Sequence, residues 1–173
     1  MASKSERRDL VAKLEGNRNE LLELARSLTP ERADSRKQEG DRTPKGMLLH
    51  VAEAEHHYVW DWAARARDED EPDFALPRIG TGGRGVGALF DQSGDWDMPG
   101  LTSRMREVRE STLRFIAETV DTEFERVGRN SPFGDLTVHQ FLKSLYRHDR
   151  MHIDEMHGRD QTYIIKTADG GQL

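Results

Sequence analysis

The segment from Phe141 to Gly158, FLKSLYRHDRMHIDEMHG, sets His148 and His152 four residues apart. On a helix turning about 100° per residue they lie about 40° apart, and Val138, Phe141, Leu145 and Met156 fall within about 80° of His148. Both imidazoles therefore belong to an apolar face, whereas His139 and His157 project to the opposite side, toward water. Two histidines at i and i+4 on an inward face can reach one metal ion. The competing assignment is a pair of core histidines, each satisfied by a carboxylate or a backbone carbonyl. Burying two neutral rings without partners costs about 1–3 kcal/mol each, and a core poor in aliphatic side chains has little reason to accept it.

A third ligand has to come from another helix. In the segment that opens at Thr43-Pro44, His50 falls about 40° from Ala54 and about 60° from Met47, at the edge of an apolar stripe. His57 follows two turns later on nearly the same line, with Asp61 after it, while His56 points elsewhere. Either His50 or His57 would complete a three-histidine site with positions left open for water or substrate, and the residues alone do not choose between them. There are no cysteines, so disulfides and thiolate ligands are excluded and any metal must be held by His, Asp or Glu.

Four stretches carry the helical periodicity needed to position these side chains. The first runs from about Ser5 to Leu28, with Leu10, Val11, Leu14, Leu21, Leu22, Ala25 and Leu28 on one face, and ends before Pro30. The second starts with Thr43 as N-cap and Pro44 at the first helical position and continues to about Arg67, with Met47, Val51, Ala54, Tyr58 and Trp62 inward. The third, from about Pro99 to Val120, carries Leu101, Met105, Val108, Phe115 and Ile116. The fourth starts at Asp135 to Thr137 and runs to about Met156. No strand-like alternation or internal repeat stands out. These stripes predict an all-α fold, a four-helix bundle forming one domain over residues 1–173. The polar linker 68–98 is too long for a simple bundle turn and is expected to cross over outside the helices; the tail 158–173 reads as loop.

Composition agrees with an economical core. Leu, Ile, Val and Phe total 35 of 173 residues, about 20% of the chain and near the border below which charged sequences stay disordered. With 26 basic against 32 acidic residues the net charge is only −6, so self-repulsion is weak and folding is expected. The acidic balance and the absence of a basic stripe argue against a nucleic-acid partner. No apolar run is long enough for a membrane span and the amino-terminal residues lack a signal-peptide core, which predicts a cytoplasmic protein.

Together, PKGMLLHVAEAEHHYVW (44–60) and LTVHQFLKSLYRHDRMHIDEM (136–156) resemble the DinB-like superfamily of metal-dependent enzymes, which includes YfiT-type proteins and thiol-dependent S-transferases. The family pattern is one histidine early in the second helix and an H-x-x-x-H pair in the fourth, matched here by His50, His148 and His152. The polar lead-in FERVGRNSPFGDLTVHQFL (124–142) is similar too. The resemblance implies a four-helix bundle, often dimeric, with a divalent ion, nickel or zinc, on those three histidines. It also implies a small-molecule reaction, a transfer using a low-molecular-weight thiol as co-substrate or a hydrolysis. The tryptophan often found just before helix two is absent; Asp41-Arg42-Thr43 stand there.

Within that reading His57 is the candidate pocket acid or base, and Glu155, about 20° from His148, a candidate for lining the pocket. The alternative is a non-catalytic metal-binding or stress-related bundle. His148-Asp149-Arg150-Met151-His152 differs from the zincin H-E-x-x-H by a shorter acid, and Gly158 stands where a metzincin-like third histidine would be required, so a protease is disfavoured. The run Gly80 to Gly87, GTGGRGVG, lacks the Lys-Ser/Thr of a P-loop and reads as a flexible loop able to cover the site. Trp60, Phe90 and Trp96 are expected to be packing anchors.

Overall fold

The computed structural model describes residues 4–36, 42–74, 94–131 and 133–164. Helix α1 (Lys4–Ser27) is followed by one short turn, α2 (Pro30–Ala33). Helix α3 (Pro44–His57) passes without a break through a π-helical segment, Tyr58–Ala63, into α4 (Ala64–Asp68). Then come α5 (Met98–Glu118), a hairpin of β1 (Val127–Ser131) and β2 (Gly134–Thr137), and α6 (Val138–His157). No helix among the described residues is long and apolar enough to cross a membrane.

Local chemistry sets the helix ends. The Thr43 hydroxyl accepts from Gly46 N at 2.9 Å ahead of Pro44. Asp97 accepts from Gly100 N at 2.7 Å ahead of Met98-Pro99. Thr137 and Gln140 form a reciprocal capping box at α6, which ends on Gly158 with φ 67°, a left-handed conformation that glycine adopts without a Cβ clash.

The buried side chains form two apolar clusters. One takes Leu10 and Leu14 from α1, Tyr58, Val59 and Trp62 from the π segment, Phe115 and Ile116 from α5, and Val138, Phe141 and Leu145 from α6. The other takes Leu21 and Leu22 from α1, Leu48 and Val51 from α3, Leu101 and Met105 from α5, and Ile153 from α6. Read along the chain, this order makes α1 parallel to α6 and α3 parallel to α5, the two pairs running in opposite senses. The closest packing is within the pairs, α1 on α6 and α3 on α5. α4 finishes beside the first cluster, whereas Trp96 and Met98 pack on the second. Residues 75–93, with the glycine-rich run and Phe90, lie outside the described residues, as does most of the tail.

A layer of buried charge lies between the clusters. Glu55 of α3 accepts from Arg109 of α5 at 2.7 and 2.9 Å and is also bonded by Arg18 of α1. Arg109 donates to Asp149 of α6 at 2.8 Å as well as to the Leu14 carbonyl, and Arg18 donates to the Met105 carbonyl at 2.9 Å. All four charged residues are buried. Two cations and two anions thus close on one another across four helices, and every long helix contributes either a side chain or a carbonyl.

The hairpin was not foreseen: Val127 pairs with Thr137, Gly128 with Leu136 and Ser131 with Gly134. Residues Asp135 to Thr137, expected as the start of the last helix, are strand, and Val138 is the first helical residue. The strands are short, polar and irregular in register, so they carry no period-2 signal. Gly128 is required by packing, since a Cβ there would fall 1.9 Å from Phe74 Cε2. The Phe74 and Arg129 backbones tie the exit from α4 to β1. His139, expected in water, is half-buried with its ring edge-on to Phe124, which the turn before β1 brings over it. Trp60, expected to be a packing anchor, is 39% exposed, while one edge meets Phe115.

Removing one member of a buried charge set leaves its partners uncompensated, which costs about 3–5 kcal/mol. Arg109→Ala is expected to lower the unfolding free energy by about that amount in a denaturant titration. Burial on its own would raise the Glu55 carboxyl, but Arg109 and Arg18 outweigh it and hold the group down at about 2. The unfolded chain therefore takes up a proton that the folded chain refuses, and stability conferred above about pH 4.5 is lost as the pH falls toward 2. In that window Glu55→Gln should show a flatter pH dependence than the parent, though from a lower starting stability.

Candidate metal centre

His50, on α3, and His148 and His152, on α6, converge where the second cluster meets the charged layer. Their side chains are 7%, 5% and 1% exposed. The Nε2 atoms point at each other: His50 to His148 at 3.0 Å and His152 to His148 at 3.1 Å. His152 stands nearly perpendicular to the other two rings, which are inclined at 64° to each other, with centroids 4.5–5.0 Å apart. Four-residue spacing places His148 and His152 on one side of α6, and the crossing of α3 supplies His50 from the other.

Three imidazole nitrogens cannot satisfy one another in this arrangement. Each Nε2 carries either one proton or one lone pair in the ring plane, so His148 Nε2 makes at most one good hydrogen bond, yet it faces two nitrogens. A cation at the shared point resolves this conflict by taking all three lone pairs. Nitrogens about 2.0–2.1 Å from a tetrahedral ion would lie about 3.4 Å apart, close to the separations seen. The residues fit a divalent ion.

The surroundings keep His50 and His148 neutral. Burial, reinforced by His152 and Arg42, pushes His50 down to about 2, and burial with His152 and His50 holds His148 well below its ordinary value. Both are therefore neutral at neutral pH, each with one ring nitrogen bearing a lone pair. His152 Nδ1 lies 3.0 Å from Glu155 Oε2, so Nδ1–H donates to the carboxylate and Nε2 is left with its lone pair facing inward. Arg42, immediately before the Thr43 cap, interacts electrostatically with Glu155.

The sequence pattern allowed His50 or His57 as third partner, and the structure brings His50 to the cluster. His57 is bonded through Nδ1 to Asp61 and its ring lies 4.9 Å from Trp62; it reaches the three histidines only by way of Tyr58, which is 5.9 Å from His148. Asp149, the acid of the H-D-x-x-H stretch, turns to Arg109 and Arg18 rather than to the cluster, which removes the protease-like base. His157 is on the surface near Glu20 at 3.5 Å. Sequence reasoning missed the partners of Asp149. Arg18 sits four residues after Leu14 and three before Leu21, and Arg109 four after Met105: a charge inside an apolar stripe was the available signal.

Fold and cluster together define a class, four-helix bundles with two parallel pairs that carry a buried trio of histidines between the second and last long helices. The chain belongs to the DinB superfamily, whose family model matches residues 13–156. Among solved structures it is similar to YfiT from Bacillus subtilis, described as a probable metal-dependent hydrolase with an unusual four-helix bundle topology; the TM-score is 0.68 at 15% identity, over 92% of both chains. It is also similar to YjoA, a DinB-like protein from the same organism, with a TM-score of 0.59 at 13% identity over 87% of both chains. At such identities the likeness is one of fold. No curated protein sequence matches.

The Glu155 contact makes a spectroscopic prediction. Long-range 1H–15N correlation should find His152 as the Nδ1–H tautomer in the parent, and Glu155→Ala should shift it toward Nε2–H, the commoner form in water. An unchanged tautomer would show that the carboxylate does not orient the ring.

Proposed function

We propose that His50, His148 and His152 hold a divalent metal ion and that the protein is a metal-dependent enzyme acting on a small molecule, by hydrolysis or by transfer to a low-molecular-weight thiol. The observation that carries this reading is the convergence of three buried Nε2 atoms that cannot pair among themselves. The description of YfiT as a probable metal-dependent hydrolase supports it. An all-nitrogen donor set suits zinc or nickel, and neutral ligands leave the ion its full positive charge. When bound, such an ion acts as a Lewis acid and lowers the pKa of a coordinated water or thiol toward neutrality.

The chain's own groups prepare that chemistry. Glu155 fixes the tautomer of His152. Burial keeps His50 and His148 unprotonated, and three protein ligands leave coordination positions for a nucleophile and a substrate atom. Tyr58 lies against His148 on the side of the first cluster, where burial pushes its phenol above the ordinary value and keeps it neutral. Arg42 adds positive charge near Glu155 and His50, in position to favour an anionic group at the mouth. The reading assigns no step to His57. As a small acidic protein it is proposed to work in the cytoplasm, with a homodimer as the working assembly and no nucleic-acid partner.

The decisive experiment measures metal content in untagged protein after zinc or nickel loading and gel filtration. About one equivalent is expected for the parent and for His139→Ala, and almost none for His148→Ala. Less than about a tenth of an equivalent in the parent, roughly adventitious binding, would reject the proposal. Glu155→Gln should retain the ion with affinity reduced about 10–100-fold in a chelator competition.

A further inference from the structure

A cavity of about 310 Å³ opens between α6, the β hairpin and the segment after Gly158, with Tyr58 in its wall. Its apolar walls include Tyr58, Phe133 and Tyr163, and its polar side is Lys143, Ser144 and Arg147 on one flank of α6. Two of these residues tie it to the histidine cluster. Ser144 is one turn before His148, and the Tyr58 ring lies 5.9 Å from the His148 ring. Tyr58 is itself stacked on Trp62, with centroids 4.6 Å apart, so this wall is rigid.

The charge of the cavity is opposite to that of the protein. The chain carries 32 acidic against 26 basic residues, yet among the described residues the lining holds two cations and no carboxylate. On the other flank of the same helix, Arg150 is bonded to Glu20 at 2.8 Å, and Arg159, just beyond the helix, lies 3.7 Å from Glu20. Among the described residues Lys143 and Arg147 have no such acid within ion-pair distance; Arg147 instead stands 5.9 Å from the Tyr146 and Tyr163 ring centroids, a contact with aromatic faces that leaves its donors available. Spaced i and i+4, the two cations project side by side. A pair of unneutralised cations above aromatic walls recognises an anion carried on an apolar body.

We propose that this cavity is the binding site for the body of the substrate, a small organic anion whose carboxylate or phosphate is held by Lys143 and Arg147 and whose flat or aliphatic part packs on Tyr58, Phe133 and Tyr163. This rests on the metal-enzyme reading for the direction in which the substrate's reactive end points, past Tyr58 toward the histidines; the anion site itself stands on the cavity alone.

The test titrates full-length, metal-loaded protein with 2-naphthoate and with 2-naphthyl phosphate by calorimetry, using 2-naphthamide as the uncharged counterpart. At least one anion should bind 1:1, about tenfold or more tighter than the amide, the two anions distinguishing carboxylate from phosphate recognition. Lys143→Gln/Arg147→Gln should lose about tenfold in that affinity with metal content and melting temperature unchanged. If the double variant misfolds, Arg147→Gln alone, at an exposed position, should still weaken the anion and not the amide. No anion binding, equal binding of anion and amide, or undiminished affinity in the variants would overturn the inference. A protein that takes up no metal but still shows charge-dependent anion binding would sink the metal-enzyme reading and leave this site standing. Full metal loading without anion discrimination would do the reverse.

Discussion

A carboxylate with almost no contact with water is tolerated only if its charge is matched within hydrogen-bonding distance, and Glu55 is such a group. It is met by Arg109 from α5 and Arg18 from α1, and Arg109 reaches on to Asp149 of α6. Apolar side chains can slide against one another at little cost, but these donors and acceptors cannot. The interaction therefore fixes how far along the bundle axis each helix sits. Since Asp149 directly follows His148 in the chain, the same bonds fix the height of two histidines opposite the third.

The two apolar clusters have a different role. They supply the drive to associate and, by flanking the charged layer, remove it from water, which strengthens every ion pair inside it. Through Tyr58 the first cluster also forms one wall of the cavity against α6. The π-helical segment Tyr58–Ala63 belongs to this wall: one widened turn sets Tyr58 against His148 while keeping Trp62 in the core. Such insertions are frequent at functional sites, and here the insertion lies between the imidazoles and the first cluster.

The histidine cluster and the charged layer use burial to opposite ends. In the charged layer burial is offset by compensating ions, so the charges persist. Around His50 and His148 burial, with the neighbouring histidines and Arg42, suppresses protonation. Glu155 is the exception at the edge: half-exposed, it accepts a hydrogen bond from His152 Nδ1–H. A neutral, inward-facing donor set with one oriented ring follows from that division.

Much of this was legible in the residues themselves. The four amphipathic stripes, the Thr43-Pro44 start and the pairing of His148 with His152 all follow from periods of 3.6 residues and from capping chemistry, which act over a few neighbouring positions. The hairpin was not legible, because strands as short and polar as VGRNS and GDLT gain their stability from pairing and from Phe74 lying over Gly128. Nor was the partner of Asp149, which depends on Arg109 forty residues away. The choice of His50 over His57 needed the tertiary structure too: both lie near one line on the helix, and only the crossing of α3 over α6 decides which imidazole meets the pair. Sequence specifies which face each side chain takes on its own element, because that is local geometry; which faces meet, and at what height, is decided by packing and buried charge between elements distant in the chain.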